Sequence, residues 1–274
     1  MLRVNTIMKT LLLILFSSFV IFTSCQKQKN GTEWQSLFNG TDLNEWDIKI
    51  SGHVLNDNYK NTFVVEDSII KVNYTEYDTF THEFGHLYYK KPFSKYRLRM
   101  DYRIFGKLTT GSPYYAEANS GVMLHAQSAE SQELNQNFPA SIEMQFLSRI
   151  DNLPRATGNL ASPGTHVERG DSLYTNHMMY ANGKTFGDGW VHIEAIVIGD
   201  SVVHHVVEGD TVLTYFKPQI GGWENDSSDT WVKDKTWVNK TAGKPLRQGF
   251  IALQAEGHPV WFKNIEIMDL SHDK

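Results

Sequence analysis

The stretch YRLRMDYRI, residues 96–104, alternates apolar and polar side chains without a break. Successive side chains of a β-strand point to opposite faces of a sheet, so this alternation predicts a strand with one buried face. The predicted buried side chains are Tyr96, Leu98, Met100, Tyr102 and Ile104.

Short strand-like runs occur on either side of this stretch, and helical patterns are almost absent. Residues 62–72 predict a hairpin that turns near Asp67 and Ser68. Residues 190–216 predict a meander broken at Gly199-Asp200 and Gly209-Asp210, and residues 250–254 and 260–268 predict the closing strands. Only residues 129–134 are compatible with a helical turn or two. Many short, evenly spaced strands without an internal repeat or linker indicate one all-β domain, a sandwich or a barrel.

The first residues have the pattern of an export signal. Lys9 precedes an apolar run over residues 11–22, and small residues then lead to Cys25. We therefore predict a lipoprotein signal peptide over residues 1–24, followed by Cys25 as the lipidated residue. The protein is expected to be exported and anchored through this lipid to a bacterial membrane, on the periplasmic face or at the cell surface. A plain signal peptide with an incidental cysteine is the alternative. Residues 25–32 are expected to form a polar tether, and residues 33–271 the β-sandwich domain.

Composition limits the possible partners and chemistries. Cys25 is the only cysteine, so the mature body has no disulfide, thiolate nucleophile or cysteine metal site. The chain is 41% hydrophobic and 12% aromatic, as is ordinary for a globular protein, and it carries a net charge of −5. Because the charges are mixed and form no basic stripe, the sequence argues against a nucleic-acid partner.

Three runs carry hydrogen-bonding side chains at alternate positions: residues 119–125, 141–146 and 254–258. The side chains predicted to share polar faces are Asn119, His125, Ser141, Glu143, Gln145, Gln254, Glu256 and His258. If these strands are neighbours, the faces together form a groove lined by amides, carboxylates and imidazoles, which suits a polyhydroxylated ligand such as a sugar. The alternative is that a half-exposed sheet simply has a solvated face.

Two long segments between strands are candidates for further ligand contacts, residues 149–182 and 221–244. The second contains Trp223, Trp231 and Trp237, and an exposed indole can stack on the apolar face of a sugar ring. Trp223 is thus a predicted substrate contact. These rings are equally compatible with folding back over the edge of the core.

The run HEFGH, residues 82–86, matches the H-E-x-x-H pattern of zinc proteases. That chemistry requires both histidines on one face of a helix. The flanking residues are strand-like and Gly85 weakens a helix, so the pattern does not predict a protease. A non-catalytic position for His86 near the groove is the better interpretation.

A conventional glycosidase needs two carboxyl groups flanking the scissile bond. In β-sandwich glucanases both acids lie on one strand, but here Glu143 is followed by Gln145 and Ser148, so the second acid is missing. Glu256 could meet Glu143 across strands, which sequence alone does not decide. Ordinary two-carboxylate hydrolysis is therefore not supported by the pattern.

Seven blocks of the chain resemble, in order, the motifs of the 3-keto-disaccharide hydrolase domain family. They are SLFNGTDLNEW (36–46), NSGV (119–122), SIEMQ (141–145), TGNL (157–160), PGTH (163–166), GFIALQ (249–254) and HPVWFKNI (258–265). Each block is weak alone, but together they span nearly the whole predicted mature chain. The resemblance implies a concanavalin A-like jelly-roll β-sandwich and a carbohydrate-active enzyme.

The resemblance also implies a reaction. A ketone at C3 of a glycoside acidifies the C2 hydrogen, so one base can remove that hydrogen and expel the anomeric substituent by β-elimination; water then adds. Glu143 is the expected base, with His258 or Glu256 as partner acid. The expected contacts to sugar or enolate are Asn119, His125, Gln145, His166, Gln254 and Lys263. His125 departs from the arginine expected in many members, which leaves its role open. No cofactor is required by the sequence, and a divalent metal held by His and Glu is allowed but has no spacing pattern.

Two other classes of function stay open at this point. A lectin-like lipoprotein that binds glycans for uptake would use the same fold and groove without turnover, and a scaffold in a glycan-uptake complex would need none of the groove residues. The sequence does not identify the sugar, the linkage, the aglycone or the oligomeric state.

Overall fold

Two antiparallel β-sheets pack face to face and enclose the hydrophobic core. The structure is a computed structural model that describes residues 33–221 and 242–271. All strand pairings in this part of the chain are antiparallel. This is the concanavalin A-like jelly-roll sandwich predicted from the sequence.

The larger sheet has ten strands among the described residues. They are β1 (Gln35–Ser36), β3 (Phe63–Glu66), β4 (Ile69–Val72), β6 (Lys95–Ile104), β10 (Thr165–Arg169), β11 (Ser172–Tyr174), β13 (Val191–Ile198), β14 (Val202–Val207), β15 (Asp210–Ile220) and β17 (Val260–Asp269). Their spatial order is β11-β10-β15-β14-β13-β6-β17-β4-β3, with β1 paired to β17.

The smaller sheet has seven strands in the same part of the chain. They are β2 (Trp46–Ile50), β5 (Gly85–Tyr89), β7 (Asn119–Ala126), β8 (Ile142–Leu147), β9 (Asn159–Ala161), β12 (Met178–Met179) and β16 (Phe250–Ala255). Their order is β12-β9-β8-β7-β16-β5-β2, so β7 separates β8 from β16. The described residues also include single 3-10 turns at Tyr59–Asn61, Tyr114–Ala116 and Ala129–Ser131.

The alternation over residues 96–104 produces the expected faces. All five predicted apolar side chains of β6 are buried in the core, and the intervening positions lie on the outer face. On β8, Ile142, Met144 and Phe146 likewise enter the core. Phe146 stacks on Tyr102 of the larger sheet with the ring centroids 4.3 Å apart, which ties the two sheets together.

Local turn chemistry sets the hairpins. Asp67 and Ser68 connect β3 to β4 with positive φ angles of 52° and 58°, as a two-residue turn with the twist of the strands requires. Gly199 also has positive φ in the predicted turn between β13 and β14. The next turn uses Glu208 and Gly209, so Asp210 already belongs to β15, one residue from the predicted position.

No helix in the described ranges is long and apolar enough to cross a membrane. The predicted signal peptide and the whole predicted tether, including Cys25, lie outside the described residues.

Candidate active site

A cavity of about 770 Å³ opens on the outer face of the smaller sheet. Its floor is formed by outward-facing residues of β7, β8 and β9, and its walls by the segments around Tyr114, Leu153 and Tyr180. The polar residues that line it are Asn119, Glu143, Gln145, Arg155, Asn159, His177 and Glu256. Four of the predicted site residues therefore meet in one cavity: Asn119, Glu143, Gln145 and Glu256.

Glu143 is the second residue of β8 and points away from the core. Its carboxylate lies directly over Gly121 of the neighbouring strand β7: a Cβ on Gly121 would be 2.4 Å from Glu143 Oε1. The absence of a side chain at Gly121 lets the carboxylate reach past β7 to β16, where the Gln254 side chain hydrogen-bonds to it. Burial raises the pKa of Glu143 to about 8, and the hydrogen bond from Gln254 opposes that rise.

Glu256 is the second buried carboxyl group and follows the end of β16. Burial raises its pKa well above the usual value, the charge of Glu143 raises it further, and Arg155 opposes the shift. Its Oε2 atom is buried and has no hydrogen-bond partner among the described residues. Because ionised Glu143 makes ionisation of Glu256 harder, we infer that Glu143 loses its proton first and Glu256 keeps its own.

His258, the other predicted acid, is buried but does not line the cavity. Its Nδ1 accepts a hydrogen bond of 3.1 Å from the Ala118 backbone amide. Burial lowers its pKa to about 4, a hydrogen bond with the Phe105 backbone opposes the shift, and Arg155 contributes to it. The ring is thus neutral at physiological pH and held by backbone groups, so its geometry favours Glu256 over His258 as the acid.

Arg155 is a cavity residue that sequence reasoning did not single out. It is half-buried in the loop after β8, and its Nη1 donates to the carbonyls of Glu117 (2.5 Å) and Ala118 (3.3 Å). These bonds fix a cation near Glu256. Within the sequence, its only signal was its position in the long segment 149–182.

Amide side chains form the rest of the polar floor. Asn159 Nδ2 donates to Gln145 Oε1 at 3.1 Å, and Asn119 Nδ2 donates to the Tyr115 carbonyl at 3.1 Å. Asn119 Oδ1 and Gln254 Oε1 are buried with no hydrogen-bond partner among the described residues. Buried polar atoms are normally paired, so unpaired acceptors in and beside a cavity are places where ligand hydroxyls can donate. Asn159 belongs to the quoted TGNL block but was not predicted as a contact.

His86 lies on the same outer face as Gln254, its direct partner across the β5–β16 pair. The ring is fully buried, and burial lowers its pKa to about 3, with Lys49 adding to the shift. It does not line the cavity.

The H-E-x-x-H run is not helical. His82 has a φ of 89° in an exposed bend, whereas His86 is in β5. Glu83 accepts hydrogen bonds from the backbone amide and hydroxyl of Thr81. The rejection of a zinc-protease helix is therefore correct.

His125 is a correction to the predicted polar face. It has a φ of 50° at an irregularity in the β7–β16 pairing, where Gly249 packs against its backbone. The ring turns toward the larger sheet: it contacts Tyr96, and its Nε2 donates to the Gly199 carbonyl at 3.2 Å. The bulge breaks the period of two, so His125 leaves the face that Asn119 occupies.

His166 and Lys263 also lie away from the cavity, because both belong to the larger sheet. His166 is on β10 beside Gly221. Lys263 is on the outer face of β17, where its Nζ lies 4.0 Å from the centroid of the Trp190 ring. The expectation that they contact the same ligand as Glu143 does not agree with this placement. Trp223 lies outside the described residues.

Among residues 33–221 and 242–271, no group of three or more His, Cys, Asp or Glu side chains is arranged to hold a metal ion.

Comparison with solved structures supports the fold. A protein from Parabacteroides distasonis ATCC 8503, named as a candidate glycosyl hydrolase, superposes with a TM-score of 0.51 at 19% identity, covering 87% of this chain and 94% of that one. A second structure of that description from the same organism gives a TM-score of 0.50 at 19% identity, covering 87% and 100%. At this identity the likeness concerns the fold alone. No curated protein matches the sequence.

The sequence profile of the 3-keto-α-glucoside-1,2-lyase-like domain matches residues 33–268. The match includes both sheets and every residue that lines the cavity. The chain therefore belongs to the 3-keto-α-glucoside-1,2-lyase-like domain family.

Proposed function

We propose that the protein cleaves glycosides whose sugar carries a ketone at C3, by removing the C2 proton and expelling the anomeric substituent. The observation that carries the proposal is the pair of buried carboxyl groups, Glu143 and Glu256, in a cavity with one cation. Family membership and the glycosyl hydrolase description of structural neighbours support the coarser statement that the protein acts on glycosidic bonds.

Glu143 is the base. A ketone at C3 makes the C2–H bond acidic enough for a carboxylate to break it, and a carboxyl group with a pKa of about 8 is a stronger base than an ordinary glutamate. A base acts in its ionised form, which Glu143 reaches as the pH approaches 8.

Glu256 is the acid. As the C2–H bond breaks, the C1–C2 double bond forms and the C1–O bond breaks, so the departing oxygen needs a proton. Glu256 holds a proton because it is buried beside Glu143. Arg155 lies on the cavity wall, fixed by backbone carbonyls, where its positive charge stabilises negative charge that develops on the C3 oxygen. Addition of water across the double bond, with the proton returned to C2, completes hydrolysis.

A binding module would need only the amide floor and the aromatic walls. It gains nothing from two buried acids whose pKa values are displaced, because each makes the folded protein less stable when ionised. This argument favours the enzyme over the lectin-like alternative.

The test is turnover of a 3-keto-glucoside with a chromogenic leaving group, beside the unoxidised glucoside. Glu143→Gln keeps the shape of the side chain and removes the base, so we expect release from the keto-substrate to fall by about 10³-fold. Glu194→Gln, on the outer face of the larger sheet, is the matched control and should leave the rate unchanged.

Three outcomes are informative. Release from the keto-substrate alone, lost in Glu143→Gln, supports elimination. Equal release from both substrates would replace it by conventional hydrolysis. Binding of either glycoside without release by the wild type would favour the lectin-like function. A parallel sample treated with a chelator tests whether a divalent metal takes part.

A further inference from the structure

Exposed hydrophobic side chains are concentrated at the mouth of the cavity. Eight large hydrophobic residues are exposed in the part of the chain that the structure describes, and four of them line this cavity. These four are Tyr114 (87% exposed), Tyr115 (43%), Leu153 (61%) and Tyr180 (76%). They come from three segments that are far apart in sequence, so local composition does not explain their meeting. Contiguous exposed apolar surface on a monomer commonly marks a binding site.

The cavity has a mostly polar floor and a mostly apolar wall, in which Arg155 and His177 are the polar members. Glu143, Gln145 and Asn159 project from the sheet and form the floor, while the loops supply the wall. The wall residues include Ile150, Leu153 and Pro154, which have no hydrogen-bonding side-chain atom. Tyr114 and Tyr115 meet edge to face, with their centroids 5.8 Å apart, and extend the wall toward solvent.

This division indicates where the two halves of a glycoside lie. The oxidised sugar needs partners for its hydroxyls and must present C2 to Glu143, so it belongs on the floor. The group attached at C1 then extends toward the wall. A second sugar ring would fit this wall less well, because hydroxyls placed against Ile150, Leu153 and Pro154 find no hydrogen-bond partner on those side chains. A flat aromatic group has no such penalty and stacks well on tyrosine.

We propose that Tyr114, Tyr115, Leu153 and Tyr180 form a subsite for the leaving group, and that it selects glycosides of aromatic aglycones over disaccharides. The inference rests on the proposed function, because that function places the sugar on the polar floor. It adds the chemical class of the group that departs.

The test compares two keto-substrates of the same anomeric configuration, phenyl 3-keto-α-glucoside and 3-keto-maltose, in full-length protein. Leu153→Ser and Tyr180→Ser remove apolar surface from the wall without touching the floor. We expect kcat/KM for the phenyl substrate to fall about tenfold more than kcat/KM for the disaccharide. Taking the variant-to-wild-type ratio for each substrate cancels their different intrinsic reactivities. Leu173→Ser, an equally simple change at an exposed leucine on β11, should leave both ratios at one.

Equal losses on both substrates, or no loss on either, would overturn the subsite. If the wild type turns over neither substrate, the proposed reaction fails, and binding of unoxidised phenyl α-glucoside and methyl α-glucoside by calorimetry then decides the subsite alone. Tighter binding of the phenyl glycoside that is lost in Leu153→Ser supports it. Equal affinities for the two glycosides count against it.

Discussion

The two sheets expose polar outer faces that handle charge in opposite ways. On the larger sheet, charges are paired and partly in water: Arg99 lies 2.7 Å from Glu266, and Lys71 lies 2.7 Å from Glu66. On the smaller sheet, Glu143 and Glu256 are covered by loops, and both have raised pKa values. An alternating sequence produces both outer faces. Only the outer face of the smaller sheet holds acidic groups whose ionised form is disfavoured by burial.

This difference separates a solvated surface from a site. A paired surface charge relieves its own electrostatic energy and contributes little to stability or chemistry. A buried acid without a close counter-ion destabilises the folded protein when ionised, so its persistence points to a role in function. The comparison can be tested by changing each face in turn.

The largest expected effect is on stability at alkaline pH. The folded-state pKa of Glu143, about 8, lies above its unfolded value of about 4.5, so its favourable contribution is present below pH 4.5 and is lost as pH rises through 8. Glu143→Gln cannot ionise. Between pH 5 and pH 9, the unfolding free energy of the wild type should therefore fall by on the order of 4 kcal/mol relative to that of Glu143→Gln. Urea denaturation at both pH values measures this change, and a difference independent of pH would show that Glu143 ionises freely in the folded protein.

The next effect is on activity, through Gly121. Alanine there places a Cβ 2.4 Å from Glu143 Oε1 and 2.8 Å from its Cγ, and a side chain rather than backbone must move. We expect Gly121→Ala to fold normally but to lose about 100-fold in kcat/KM, because the base is displaced. Gly189→Ala, where a Cβ meets nothing within 4 Å, is the control. Full activity in Gly121→Ala would mean that the carboxylate position over β7 does not matter.

A smaller effect concerns the pH dependence of activity. A base must be ionised, so kcat/KM should rise with pH and level off above the pKa of Glu143, about 8. Gln254→Leu removes the hydrogen bond that lowers this pKa, and the rise should move to higher pH. Gln132→Leu removes another buried amide, the acceptor of the Tyr88 hydroxyl, and serves as control. A shift in both variants, or in neither, would contradict the assigned link between Gln254 and Glu143.

The smallest effect is expected on the larger sheet. Arg99→Gln breaks the pair with Glu266 and the contact with the Trp34 ring, whose centroid is 4.0 Å from the guanidinium carbon. Since these groups are partly exposed, unfolding free energy should fall by about 1 kcal/mol or less, with the pH profile of activity unchanged. A change in that profile would mean that the two faces are not independent.

The position of an individual side chain was predictable where the strand was regular. The alternation around Met100 and Met144 correctly gave the buried faces, because the period of two is a local property of extended backbone. It failed at His125, where a residue with positive φ turns the ring toward Tyr96. A bulge arises from pairing with a partner strand, and the sequence of one strand does not reveal it.

The sequence also did not predict which strands are neighbours. His166 and Lys263 were grouped with Glu143 on the basis of family motifs, yet the sheet to which a strand belongs depends on long-range pairing. Arg155 was missed for a related reason, since its position at the cavity is set by hydrogen bonds to the carbonyls of Glu117 and Ala118, which lie 38 and 37 residues earlier in the chain.

The sequence by itself determined the all-β class, the inward and outward faces of regular strands, the family, and Glu143 as the central carboxyl group. Only the tertiary structure decided that Glu143 reaches across Gly121 to Gln254, that Glu256 is buried beside it, and that loops cover both. The reason is physical. Side-chain direction along a strand follows from local backbone geometry, whereas the displaced pKa values of the site depend on burial and on charges brought together from strands far apart in the chain.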